Sequence, residues 1–172
     1  EVLHLGIKEK KSDGVCIKLS DTSLVEIIST KNKFPAIPIM INRQKSPSSK
    51  IKYLFINSGN ANACTGKIGM KNAKDYIRAL SSKLGCKSDN ILVFSTGIIG
   101  QQLPITKVIT SINKCDFIFK SSIKKASKAI MTTDKYEKWV VKKFKLSGIE
   151  VEIRGLCKGA GMIEPNMATM LA

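Results

Sequence analysis

The sequence contains a single histidine in 172 residues, His4. A histidine-dependent triad therefore has almost nothing to draw on. Five cysteines (Cys16, Cys64, Cys86, Cys115 and Cys157) form an odd set without a C-x-x-C pair. That predicts reduced, buried thiols in an intracellular chain, and neither a disulfide frame nor a metal site. No apolar run approaches the roughly 20 residues that a membrane span needs. The opening residues, Glu1-Val-Leu-His-Leu-Gly6, lack the basic flank and apolar core of a secretory signal. The expected location is the cytoplasm, or an organelle if a targeting segment was removed ahead of Glu1.

Acidic residues are also scarce. Thirteen Asp and Glu stand against 29 Lys and Arg, a net charge of +16. Such a balance invites a nucleic-acid reading. The basic residues are mostly lysines spread over every segment, aromatics make up only 6%, and no ordered nucleic-acid motif is present. A lysine-rich solvated surface is the expectation instead, with no nucleic-acid partner, although small anionic substrates would still be attracted. Two glycine-rich loops fail as phosphate motifs. Six residues separate Gly59 from Gly66 where a P-loop has four, and Ile68 stands where Ser or Thr would bind magnesium. Ser95-Thr-Gly-Ile-Ile-Gly100 lacks the second glycine of the dinucleotide pattern.

What is present suits one layered domain, since hydrophobic content of 43% is enough for a core. Short strands are expected at Val15–Leu19, Val25–Ser29 and Ile51–Ile56, with a further β-like run at Ala36–Asn42. Asn57 to Gly66 reads as a site-type loop whose backbone amides are free to bind something. Met70, Ala73, Ile77, Leu80 and Leu84 recur at helical spacing up to Gly85. A strand at Ile91–Phe94 follows, then helices from Pro104 and over about Ser122–Met131. A hairpin over Lys138–Leu146 and Ile149–Arg154 turns at Ser147-Gly148. Strands mixed with helices imply an α/β or α+β layered fold.

The last stretch, Gly155 to Ala172, combines a strand-like entry, a glycine-rich turn and Pro165 ahead of Ala168-Thr169. Glycine permits close backbone approach, and proline fixes φ. Together they aim the Thr169 hydroxyl, which could be activated by its own α-amine if the chain is cut before it. The plainer reading is a glycine-rich loop before a buried segment. Elsewhere, a Thr-Gly turn at Thr96-Gly97 can present an amide and a hydroxyl to an oxyanion. Thr132, Thr133 and Asp134 offer short polar groups for a substrate's amine or carboxylate, and Lys158 offers a cation.

Four blocks, taken together, resemble the signatures of the ornithine acetyltransferase family, also called bifunctional glutamate N-acetyltransferases of arginine biosynthesis. They are Asn57-Ser-Gly-Asn-Ala-Asn-Ala-Cys-Thr-Gly66, Ser95-Thr-Gly-Ile-Ile-Gly100, Ala129-Ile-Met-Thr-Thr-Asp134 and Lys158-Gly-Ala-Gly-Met-Ile-Glu-Pro-Asn-Met-Ala-Thr-Met-Leu171. The resemblance implies a precursor that cuts itself between Ala168 and Thr169. Thr169 would then carry acetyl from N-acetylornithine to glutamate. Thr96 and Gly97 match the family's oxyanion pair, Thr132 and Lys158 match substrate-binding positions, and Thr133 is a neighbour. No cofactor is implied, although acetyl-CoA could be an alternative donor. The implied organisation is an alpha-chain segment over residues 1–168 and the start of a beta-chain segment over 169–172. The fold would be completed by that beta chain in an alpha–beta oligomer. Two rival readings are a self-processing N-terminal-nucleophile hydrolase or aminopeptidase of related architecture, and a non-enzymatic basic binding domain.

Overall fold

A computed structural model of the chain describes residues 1–21, 23–120, 122–160 and 170–172. Its centre is a four-stranded sheet in the order β1 (Val2–Leu3), β2 (Gly14–Lys18), β3 (Tyr53–Asn60) and β4 (Ile91–Ile98). The first two pairings are antiparallel, and β3 with β4 is parallel. Parallel neighbours require a crossover, and the chain supplies it as helix α2 (Gly66–Leu84). Gly85, at φ 63°, ends that helix in the left-handed conformation glycine tolerates.

The strands alternate in period two, so each face of the sheet carries its own apolar set. Cys16, Phe55, Ile91 and Val93 pack with Tyr76, Ile77 and Leu80 of α2 and with Val108 and Ile112 of helix α3 (Ile105–Lys114). Val15 and Ile56 face the other way, against Ala126, Ala129 and Ile130 of helix α4 (Ile123–Ile130). Ser122 begins α4 by accepting a hydrogen bond from the Lys125 amide. The α/β layered expectation is met, with helices on both faces of a mixed sheet.

Two expected strands are absent. Ala36–Asn42 is instead helix α1 (Ile37–Arg43), with Pro38 in its first turn, where a missing N–H costs nothing. A short apolar run does not distinguish helix from strand by itself. Here the tertiary partner decides: Asn42, 1% exposed, donates to the Val93 carbonyl at 2.7 Å and accepts from the Val93 amide at 3.0 Å. One side chain thus substitutes for a neighbouring strand along the edge of β4. Val25–Ser29 forms only an isolated bridge, Val25 to Ser48, and leaves Leu24 and Ile28 exposed.

The hairpin occurs as expected, with β5 (Lys138–Leu146) and β6 (Ile149–Cys157) in antiparallel register from Leu146 opposite Ile149. Ser147 and Gly148 both take positive φ (49° and 83°), which matches the twist of a tight two-residue turn. It forms a separate two-stranded sheet whose Val140, Leu146, Ile149 and Ile153 remain more than half exposed. The cysteines are free, but only Cys16 is buried, and Cys64 is exposed. Burial pushes the Cys16 thiol up to about 12.

Candidate functional site

In open α/β sheets, ligands sit beyond the carboxyl ends of parallel strands. A cleft of about 520 Å³ lies there in this chain, lined by Gly59 of β3, by Thr96, Gly97 and Ile98 of β4, and by Ile7, Lys8, Thr132, Thr133, Lys158 and Ala160. Residues from five separate stretches of sequence meet at this one place. Thr96, Gly97, Thr132, Thr133 and Lys158, all singled out from the sequence, are brought together. Ala168 and Thr169 lie outside the described residues.

Lys158 ties the cleft together. It is 3% exposed, and its ammonium donates to Thr132 Oγ1 at 2.7 Å and Thr96 Oγ1 at 3.2 Å. Asp134 Oδ2 stands 3.8 Å away. Burial lowers the Lys158 ammonium from its ordinary value; Asp134 opposes that shift and Lys138 adds to it. The Lys158 backbone pairs with Leu171, amide to carbonyl in both directions at 2.8 and 3.2 Å. Leu171 is thereby held against Lys158 beside the cleft.

Gly97 has φ 134°, and a Cβ placed there would lie 2.3 Å from the Gly59 carbonyl carbon. No side chain fits that gap, so the close approach of β3 and β4 at the head of the cleft requires glycine. The adjacent register shift at Gly59 and Asn60 lets Asn60 pair with both Thr96 and Ile98.

Asp134 does not serve as an open polar group for substrate. Its side chain is fully buried, and it accepts from the Gly159 amide and the Lys138 ammonium, both at 2.8 Å, and from the Thr132 amide at 3.2 Å. Burial opposes its ionisation, but the Lys138 bond, the two amides and the Lys158 charge outweigh burial and hold it at about 2. It is an internal clasp between the Thr132 turn and the exit of β6.

The polar groups of the Asn57–Gly66 loop are likewise spent largely on the fold, although Gly59 lines the cleft. The loop's first residues extend β3, and its asparagines bond within the fold. Asn57 donates to the Asn60 carbonyl (2.8 Å), Asn60 to the Gln101 carbonyl (2.9 Å), and Asn62 to the Gly69 carbonyl (3.2 Å). The amides of Ser58, Ala61 and Asn62 are also taken, by Asp13, Ile98 and Asn60. They are not free to bind a ligand, because a buried loop has to satisfy its own polar groups first.

Lys8 and Ile7 carried no signal of their own in the sequence, where Lys8 opens a lysine-rich run. The structure buries a neighbour instead. Asp13, 1% exposed, accepts from the amides of Leu5, Ile7 and Lys8, and so folds the loop that brings both residues to the cleft. The Lys8 ammonium donates to the carbonyls of Ala129 (3.1 Å) and Met131 (2.6 Å) at the end of α4. Burial lowers it from its usual value, offset in part by Asp13. The arrangement can hold a carboxylate by its cations, and it can polarise an oxygen beside Thr96 and Gly97.

The sequence matches the model of the ArgJ family over residues 1–172. It is 45% identical over 170 residues to the mitochondrial arginine biosynthesis bifunctional protein ArgJ of Dictyostelium discoideum, covering 96% of this chain and 38% of that protein. It is 43% identical to arginine biosynthesis bifunctional protein ArgJ 2 of Clostridium acetobutylicum, covering 98% and 43%. The chain thus spans about two fifths of the length of these relatives. Among solved structures, ArgJ of Bacillus halodurans superposes with a TM-score of 0.85 at 30% identity, over 97% of this chain and 88% of that one. Ornithine acetyltransferase of Mycobacterium tuberculosis, solved with ornithine, gives 0.82 at 26%, over 95% and 89%.

Proposed function

This chain belongs to the ArgJ family, and from that premise and the cleft we propose that it is the alpha-chain part of an enzyme moving acetyl from N-acetylornithine to glutamate in arginine biosynthesis. The observation that carries the reading is Lys158. Its ammonium joins the Thr96 and Thr132 hydroxyls while its backbone is paired with Leu171, two residues beyond Thr169.

In this reading the precursor cuts itself between Ala168 and Thr169. The new α-amine, with an ordinary pKa of about 8, takes the proton of the Thr169 hydroxyl near neutral pH. The hydroxyl oxygen attacks the acetyl carbonyl of the donor. Negative charge gathers on that carbonyl oxygen at Thr96 and Gly97. Ornithine leaves with the proton, and an acetyl ester remains on Thr169. The amine of glutamate then attacks the ester, releasing N-acetylglutamate and restoring the hydroxyl. Thr132 and Lys158 position the amino-acid part of each substrate, with Thr133 at the exposed lip.

The segment following Thr169 supplies the beta chain and covers apolar surface that the β5–β6 hairpin leaves open, in an alpha–beta oligomer. No cofactor enters these steps, and acetyl-CoA is a possible second donor only through the same ester. The proposed location is the cytoplasm, or an organelle, as in the relative named mitochondrial.

The test is intact-mass analysis of the full precursor beside its Thr169→Ala variant. Two fragments split before Thr169 are expected in the wild type and one chain in the variant. N-acetylornithine should then add one acetyl to the Thr169 fragment, which glutamate removes as N-acetylglutamate. Removal by water at the same rate without glutamate would make it a hydrolase. An uncut chain that never gains acetyl would overturn the reading.

A further inference from the structure

Among its described residues the cleft presents two cations, Lys8 and Lys158, and no carboxylate. The acids near those lysines are enclosed. Asp134 has no exposed side-chain surface and is paired with Lys138 and Lys158, and Asp13 is spent on the amides of its own loop. The described lining therefore offers net positive charge to whatever enters the cleft.

The two lysines are not equivalent. Lys158 already joins two hydroxyls and a carboxylate. Lys8 gives two of its three hydrogens to the carbonyls of Ala129 and Met131, which leaves a third. Its ammonium is also held in place. The carbonyls fix its tip, and the loop wrapped on Asp13 fixes its backbone, so little further side-chain freedom is lost when an anion binds.

We infer that Lys8 is a specificity-determining residue: its remaining N–H takes the side-chain carboxylate of the amino acid that accepts the acetyl group. The inference rests on the acetyl-transfer reading and deepens it. Donor and acceptor share an α-carboxylate, but only an acidic acceptor brings a second one. A basic side chain on the donor gains nothing from Lys8. Lys8 therefore weighs more on the second half of the reaction than on the first.

The experiment separates the halves in the processed full-length enzyme, comparing wild type with Lys8→Met, Lys8→Gln and Lys8→Arg. Acetyl-enzyme formation from N-acetylornithine should fall by a clearly smaller factor than the glutamate step. Losing one charged hydrogen bond should raise the KM for glutamate about tenfold or more, with kcat little changed. The preference for glutamate over glutamine as acceptor should fall by a similar factor in Lys8→Met and Lys8→Gln, and Lys8→Arg should restore much of it. Lys8→Gln keeps an N–H donor without charge, so it decides the question if Lys8→Met unfolds. Equal slowing of both halves, or an unchanged glutamate-to-glutamine ratio, overturns the role of Lys8. A wild type that forms no acetyl-enzyme overturns the acetyl-transfer reading itself, and the Lys8 inference with it.

Discussion

The chain has a lysine-lined cleft at each end of its parallel strands, and only one is built like a site. Lys50, Lys52, Arg78 and Lys87 surround the larger one, about 760 Å³, where β3 and β4 begin. All four are exposed, and Arg78 is paired with Asp75 on α2. Asn90, also in that wall, spends its amide on the Lys50 carbonyl and its oxygen on the Lys87 amide. The smaller cleft, where the strands end, has fewer cations. There Lys158 is buried and bonded to two elements, and Lys8 is anchored on the end of α4. Charges on free stems are screened and must be ordered before they bind, whereas held charges are already in place. Volume and charge count alone point to the end whose cations are not anchored.

The sharpest way to break this contrast is at Gly97. Gly97→Ala should cost about 3 kcal/mol or more, because φ is unfavourable for alanine and its Cβ meets backbone that cannot yield. Urea unfolding of the full chain measures it, and a loss under about 1 kcal/mol would show that the strands can part.

Asp134 comes next. Its carboxyl sits at about 2 in the folded chain against an ordinary 3.8. The unfolded chain therefore binds this proton more readily, and the stability it contributes is full above about pH 5 and fades as pH falls toward 2. Asp134→Asn should lower stability near neutral pH by on the order of 2 kcal/mol and flatten the acid limb of the stability curve. Urea midpoints taken from pH 7 to 3 check this. Parallel curves for the two proteins would mean that the carboxylate is not what clasps the turn.

The smallest effect belongs to the other end. Lys52→Gln and Lys87→Gln should each change stability by no more than about 0.5 kcal/mol. Acetyl-enzyme formation should stay within about twofold. A larger fall in that rate would erase the distinction between the clefts.

Much of this was legible one stretch at a time. The three- and four-residue spacing in α2, α3 and α4, the strand at Ile91, and the Ser147-Gly148 turn are local patterns, and each appears where its residues place it. The Thr96-Gly97, Thr132-Thr133 and Lys158 blocks could be picked out by resemblance. Their meeting in one cleft could not be read from any one of them. Other features misled for a stated reason. Ala36–Asn42 became helix because Asn42 found the edge of β4, 51 residues away. The Asn57–Gly66 loop looked available for a ligand because nothing local reveals that Asp13, Ile98 and Gln101 use its polar groups. Asp134 looked open for the same reason.

The sequence alone determined the periodic elements, the turns that need glycine and the membership of a family, since periodicity, φ and motif order are properties of neighbouring residues. Only the tertiary structure singled out Lys8 and decided how Lys158, already marked by its motif, is held. Lys8 reaches carbonyls 121 and 123 positions away, and Lys158 reaches a hydroxyl 62 positions away. Burial and hydrogen bonding across such separations, rather than charge itself, make an ammonium part of a site.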